Sequence, residues 1–198
     1  MHVVIVGNGI AGITAARHIR KQSDCRITVI SKETDFFFSR TALMYVYMGH
    51  LKFEHTQPYE NWFWQKNRIE LVRGTVEDID FDKKTVQLSA DSRTVIYKPS
   101  LLERLTKVAS KPISQSSNLK ELHYDKLILA NGSVPRIGDW PGTELSGVQG
   151  LYSYQDLELL ETNSPHLKHA VIAGGGLIGV ELAEMLHSRE IKVTLLVR

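Results

Sequence analysis

Two triplets of glycine, Gly7, Gly9, Gly12 and Gly174, Gly176, Gly179, carry the spacing that most narrowly dictates a chemistry in this chain. Each follows an apolar run of strand type, Val3 to Val6 and His169 to Ala173. Each leads into a helical periodicity, Ile10 to Ile19 and Ile178 to Leu186. In G-x-G-x-x-G the first glycine permits the tight turn out of the strand. The second, lacking a Cβ, lets the backbone approach a pyrophosphate, and the third lets the helix pack against the strand. The free amides and the dipole at the helix start then favour phosphate charge. One such turn also arises for packing reasons alone. Here each helix is followed by a further apolar run, "RITVI" at Arg26 to Ile30 and "KVTLLV" at Lys192 to Val197. Two complete strand–turn–helix–strand units argue for two dinucleotide sites.

The elements that must position these turns are legible in outline. After Met1 to Ile30, the stretch Ser31 to Asn67 reads as a loop and then helical segments rich in aromatics. "IELVRGTVEDID" reads as one strand, followed by "KTVQL". Ser89 to Leu122, polar and serine-rich, reads as a long hairpin or insertion, partly disordered. "YDKLILANGSV" at Tyr124 to Val134 reads as a strand running into a turn, and Ser153 to Glu161 as a helix. The fold class expected is α/β: a Rossmann-like domain of ββα/βαβ type over residues 1–150, with 89–122 as its hairpin or insertion. Residues 151–198 then form the first βαβ unit of a second Rossmann-like domain.

Composition narrows the function. With 42% hydrophobic and 23% charged residues, the 198-residue chain is ordinary for a globular protein. A net charge of +2 makes no electrostatic case for nucleic acid. No apolar run has the length of a membrane-spanning helix, so no transmembrane segment is expected. "MHVVIVG" enters a strand with no basic leader or cleavage site, which points to the cytoplasm. The single cysteine, Cys25, cannot form an internal disulfide.

In order, "VVIVGNGIAGITAA", "YDKLILANGSVPR" and "AVIAGGGLIGVELAEML" resemble the FAD-dependent pyridine nucleotide-disulfide oxidoreductase superfamily. The middle segment is similar to that family's A-T-G-x-x-P, with Asn131 in place of threonine. The resemblance implies that the first fold binds FAD and the second binds NADH or NADPH. It also implies that the chain is the N-terminal half of a larger flavoprotein, cut after the second strand of its NAD(P) domain and inactive alone. The whole protein is then expected to be a homo-oligomer. Family disulfide reductases carry redox cysteines just after the second strand. "VISKETDFFFSRTALMYVYMGHL" has none, and Cys25 lies before that strand, so Cys25 reads as structural. The stretch resembles ferredoxin reductases and apoptosis-inducing factor through Glu33, Phe38, Arg40 and Leu43, and also type II NADH dehydrogenases.

On this resemblance Gly7, Gly9, Ile10, Ala11 and Gly12 cradle the FAD pyrophosphate. Glu33, with Lys32 beside it and Ser31 before it, takes the adenosine ribose hydroxyls or is a solvated surface charge. Arg40 lies near the isoalloxazine or pyrophosphate, or is a surface ion-pair partner. Val76 offers backbone groups to the adenine, Ala130, Asn131 and Gly132 turn toward the cofactor, and Arg136 contacts FAD. Gly174, Gly176, Leu177, Ile178, Gly179, Glu181 and Arg198 hold the second nucleotide. Val197 stands where NADH-using relatives have glutamate, and with Arg198 after it the site leans to NADPH or to weak discrimination. No catalytic residue and no metal site is assigned. His50 and His55 read as solvated or capping, and Trp62, Phe63 and Trp64 as a packing cluster.

The function implied is an FAD-dependent NAD(P)H oxidoreductase. It passes electrons to an external acceptor, a quinone, iron–sulfur protein or similar, without a redox disulfide. A redox-dependent signalling protein of the apoptosis-inducing-factor kind is the alternative, and a flavin-free Rossmann protein the third reading.

Overall fold

The computed structural model describes residues 1–97, 113–115, 119–136, 138 and 140–197. By packing, the chain divides into two units, Met1–Phe38 with Gln57–Ser133 and Ser39–Thr56 with Val134–Arg198.

In the first unit β1 (His2–Val6), β2 (Arg26–Ser31), β3 (Ile69–Arg73) and β9 (Lys126–Leu129) form a parallel sheet. Two antiparallel strands, β6 (Arg93–Ile96) and β7 (Ile113–Gln115), extend it to six in the order β7-β6-β3-β2-β1-β9. Residues alternate between its faces with the two-residue period of a strand. Val3, Ile5, Ile27, Val29, Ile69 and Leu71 pack on Ile13 and Ala16 of helix α1 (Ile10–Gln22) and on Trp64 of α3 (Trp62–Lys66). Val4, Ile30 and Val72 pack on Val86, Leu88 and Leu122 of a second sheet, β4 (Val76–Asp80), β5 (Thr85–Leu88) and β8 (Glu121–His123). Both faces are therefore covered, and this is why the parallel strands read as continuous apolar runs.

One expectation is corrected. "IELVRGTVEDID" is two strands in two sheets, broken at Gly74. There the amide of Gly74 donates to Ser31 O at 2.9 Å, and an added Cβ would lie 2.1 Å from Ser92 Oγ. The close approach of Ser92 requires glycine, and the chain leaves one sheet for the other at that point. Within Ser89 to Leu122, read as a hairpin or insertion, β6 and β7 pair antiparallel. Residues 98–112 and 116–118, within the stretch expected to be partly disordered, lie outside those described.

In the second unit β10 (His169–Ala173) and β11 (Lys192–Leu196) pair in parallel, with α5 (Leu177–His187) between them in sequence. Helix α4 (Tyr154–Asn163) is started by Ser153. Its hydroxyl accepts from the amide of Asp156 at 3.1 Å, while the Asp156 carboxylate accepts from the Ser153 amide at 2.7 Å. The short helix α2 (Leu43–Tyr47) buries Tyr47 completely, with its hydroxyl 2.7 Å from Ser164 Oγ. Beyond α5, Arg189 stacks its guanidinium 3.7 Å from the Tyr47 ring centre and donates to Glu161 at 2.7 Å. No helix among the described residues is long and apolar enough to cross a membrane.

Candidate functional site

The first glycine turn sits at the carboxyl ends of β1, β2 and β9. Gly7 has φ +109°, a region open to glycine, and its amide donates to Ile30 O at 2.8 Å. A Cβ at Gly7 would lie 2.2 Å from Ala130 O, and one at Gly12 would lie 1.9 Å from Gly7 O. Those two glycines are demanded by packing. Gly9 is different, because nothing lies within 4 Å of its Cβ position. It caps α1 with extended backbone, and the first turn of α1 holds no acidic residue. The amides of Ile10, Ala11 and Gly12 thus begin a helix with no anion of its own to answer them, beside open space.

A fixed loop places Glu33 and Lys32 near this turn. Ser31 Oγ accepts from the amides of Glu33 at 3.2 Å and Thr34 at 3.4 Å, and Asn8 Nδ2 in the glycine turn donates to Thr34 O at 3.0 Å. Glu33 is half-buried and Lys32 exposed. On the other side the amide of Ala130 donates to Val6 O at 2.8 Å, and Gly132 takes φ +69°. The structure thus brings together Gly7, Gly9, Ile10, Ala11, Gly12, Lys32, Glu33, Ala130, Asn131 and Gly132. Val76 begins β4 in the other sheet, at a bulge, and Arg136 is exposed in the second unit.

Sequence reasoning missed the arginines behind this loop. Arg73, the register partner of Ser31, lies opposite Arg93 across β3 and β6. Like charges so placed repel. Desolvation, and secondarily the charge of Arg93, hold the Arg73 pKa below its ordinary value against the opposing pull of Asp35, and Arg93 donates to Asp35 at 3.0 Å. Arg73 Nη1 and Arg93 Nε are buried without hydrogen-bond partners among the described residues. The pairing joins residues twenty positions apart through an antiparallel register that no local pattern reveals.

The second turn repeats the first. Gly174 has φ +126°, its amide donates to Leu196 O at 2.9 Å, and a Cβ at Gly179 would lie 2.0 Å from Gly174 O. Gly176 caps α5 with extended backbone and open space at its Cβ position. Leu177 and Ile178 in the first turn of α5 are exposed. Clefts open among the described residues of this unit. Arg40, Ile178 and Glu181 share one of about 230 Å³ with Leu43, Tyr152 and Met185. There Arg40 Nη1 donates to Tyr152 O at 2.5 Å, and its guanidinium lies 4.4 Å from the Tyr152 ring centre. Trp140, Ala173, Gly174, Leu196 and Val197 line another, about 330 Å³. Arg198 lies outside the described residues.

A family model described as pyridine nucleotide-disulphide oxidoreductase matches residues 1–198. The chain belongs to that family. The ferredoxin–NAD(+) reductase subunit of the benzene 1,2-dioxygenase system of Pseudomonas putida is 28% identical over 98% of this chain and 41% of its own. An NADH oxidase of Methanocaldococcus jannaschii is 30% identical over 98% of this chain and 39% of its own. The chain therefore spans about two fifths of these curated relatives. Among solved structures, an NAD-dependent persulfide reductase from A. fulgidus matches with a TM-score of 0.76 and 27% identity, over 100% of this chain and 34% of its own.

Despite the family's name, no cysteine stands between Ser31 and Asn67. Cys25 is half-buried before β2, its Sγ 3.1 Å from Ser23 Oγ. Of the aromatic cluster Trp64 is core, buried edge-on to Phe63 and Tyr59, while Trp62 is exposed and carries Lys66 over its ring. No group of three or more metal-ligating side chains occurs among the described residues.

Proposed function

We propose that the chain supplies the nucleotide-binding turns of an FAD-dependent NAD(P)H oxidoreductase that delivers electrons to an acceptor outside the chain, without a redox disulfide. The observation that carries this reading is the duplicated turn. Each copy has a first glycine at positive φ, a third glycine packed on the first one's carbonyl oxygen, a middle glycine whose Cβ position is open, and a helix start free of acidic residues.

FAD, when bound, supplies the hydride acceptance and electron release that no side chain provides. The chain's own residues bind and orient. Gly9 and the amides after it take the first pyrophosphate, and Glu33 takes ribose hydroxyls. Ala130 to Gly132 close the turn from the side of β9. Gly176 and the start of α5 take the nicotinamide dinucleotide. The acceptor is a quinone, a small iron–sulfur protein or a similar carrier, a ferredoxin in the case named for the Pseudomonas putida relative.

The test is made on the purified protein that carries this chain. It should show a flavin absorbance spectrum and reduce one-electron dyes with NADH or NADPH. It should leave glutathione, thioredoxin and coenzyme A disulfides unreduced. Reduction of small disulfides that Cys25→Ser abolishes, or a colourless protein, overturns the reading.

A further inference from the structure

The cleft lined by Trp140, Ala173, Gly174, Leu196 and Val197 has no role in the site assembled so far. Its place is informative. Ala173 and Leu196 are register partners at the carboxyl ends of β10 and β11, and Gly174 is the first residue of the second glycine turn. Ligands of parallel α/β sheets sit outside those strand ends, with the pyrophosphate at the glycine turn and the adenosine half toward the second strand. Ala173, Leu196 and Val197 offer the cleft only aliphatic side chains. At about 330 Å³ it falls at the small end of ligand pockets, roughly 300–1,000 Å³.

Trp140 forms its aromatic wall. The indole is folded back over Gly138, where a Cβ would lie 1.6 Å from the ring, so only glycine two residues earlier allows this placement. The residue is nevertheless 55% exposed, which leaves indole surface available to a ligand. Val197 lies against the turn itself: a Cβ at Gly175 would meet its methyl groups at 2.8 and 2.9 Å. A flat aromatic ring beside the glycine turn would meet an indole and the aliphatic side chains of Leu196 and Val197. Among the described residues no carboxylate lines the cleft to receive a ribose.

We infer that Trp140 stacks on the adenine of the nicotinamide dinucleotide, so that the second site gains its affinity from the base. This rests on the reading of Gly174, Gly176 and Gly179 as that dinucleotide's turn. A stack recognises the base and is indifferent to a 2′-phosphate, so the site takes adenine nucleotides of both kinds.

The test uses calorimetric titration of the purified protein with ADP-ribose, 2′-phospho-ADP-ribose and nicotinamide mononucleotide, which lacks adenine. The two adenine ligands should bind within about tenfold of each other. Trp140→Ala should weaken both by about tenfold or more, in line with the usual worth of a base stack. Trp140→Phe should bind them nearly as the parent does, which guards against a folding defect in the alanine variant. Nicotinamide mononucleotide should be unaffected by either change. Equal binding of ADP-ribose by the parent and Trp140→Ala, or a Phe variant as weak as the Ala variant, overturns the stack alone. Failure of the parent to bind either adenine ligand overturns the dinucleotide reading of the turn as well.

Discussion

The chain builds the same βαβ unit twice, and the copies agree closely at the turn while differing around it. The bond from the first glycine's amide to the second strand is 2.8 Å in one and 2.9 Å in the other. The third glycine's Cβ position lies 1.9 and 2.0 Å from the first glycine's carbonyl oxygen. Even the strand starts correspond: His2 lies 2.8 Å from Thr28 Oγ1, and His169 lies 2.9 Å from Thr194 Oγ1. The surroundings diverge. β1 has a strand on each side, and Val4 and Ile5 are fully buried. Among the described residues β10 pairs with β11 alone, and Val171 is 60% exposed. A turn geometry is thus set by its own dozen residues, whereas burial comes from what the rest of the chain lays beside it.

The largest effect that separates the copies is expected at their first glycines. Gly7→Ala combines positive-φ strain with a clash against the backbone of Ala130, and should cost about 3–5 kcal/mol. Gly174→Ala meets the strain but nothing within 4 Å, and should cost about 1–2 kcal/mol. Urea unfolding of the two variants measures the difference. Equal losses would mean that Ala130 yields freely and that β9 does not brace the first turn.

Next in size is the strand residue beneath each turn. Ile5 and Ile172 are the nearest side chains to the Cβ positions of Gly12 and Gly179, at 3.3 and 3.5 Å. Ile5 is wholly buried and Ile172 is 7% exposed beside an uncovered strand. Ile5→Ala should cost about 3–4 kcal/mol and Ile172→Ala about 2 kcal/mol, because the less enclosed site can relax into the space. A reversed order would show that the second unit is packed as tightly as the first.

A smaller, pH-dependent effect belongs to His2. Partial burial, and secondarily the charge of Arg26, hold its pKa below the ordinary 6.5, against the opposing pull of Glu70 and Asp125. Folding therefore favours the neutral ring. The stability it contributes is complete above 6.5 and drains away as pH falls from there through the lowered folded value. His2→Gln should flatten that part of the stability profile between pH 7 and pH 5, measured by unfolding at a series of pH values. A profile as steep as the parent's would exclude His2 as its source.

The two turns and the strands and helices beside them were legible because each is local: strand, glycine spacing and helix follow within twenty residues. The α4 start at Ser153 was legible for the same reason. The break at Gly74 was not, since its cause is Ser92, eighteen residues on. Neither was the Arg73–Arg93 pair, nor the cleft wall at Trp140, which depends on a backbone fold over Gly138 and on strand ends reached only through the tertiary structure. Glu33 was legible as the carboxylate near the strand end. Its placement by Ser31 and Asn8 was not.

The smallest expected difference lies where the second strands end. After β2 the chain provides Glu33, while at the end of β11 it provides Val197, which carries no group for ribose hydroxyls and no charge to repel a 2′-phosphate. Carboxylates at this point favour the unphosphorylated ribose. Val197→Glu should therefore move the ratio of kcat/KM for NADH over NADPH upward by about tenfold, equivalent to roughly 1.4 kcal/mol. The gain should come through weaker use of NADPH, since the added charge faces the phosphate directly. Steady-state kinetics with both nucleotides on the parent and the variant decide it. A parent that already prefers NADH tenfold, or a variant whose ratio does not move, would mean that discrimination is made elsewhere and that the two strand ends are not equivalent positions.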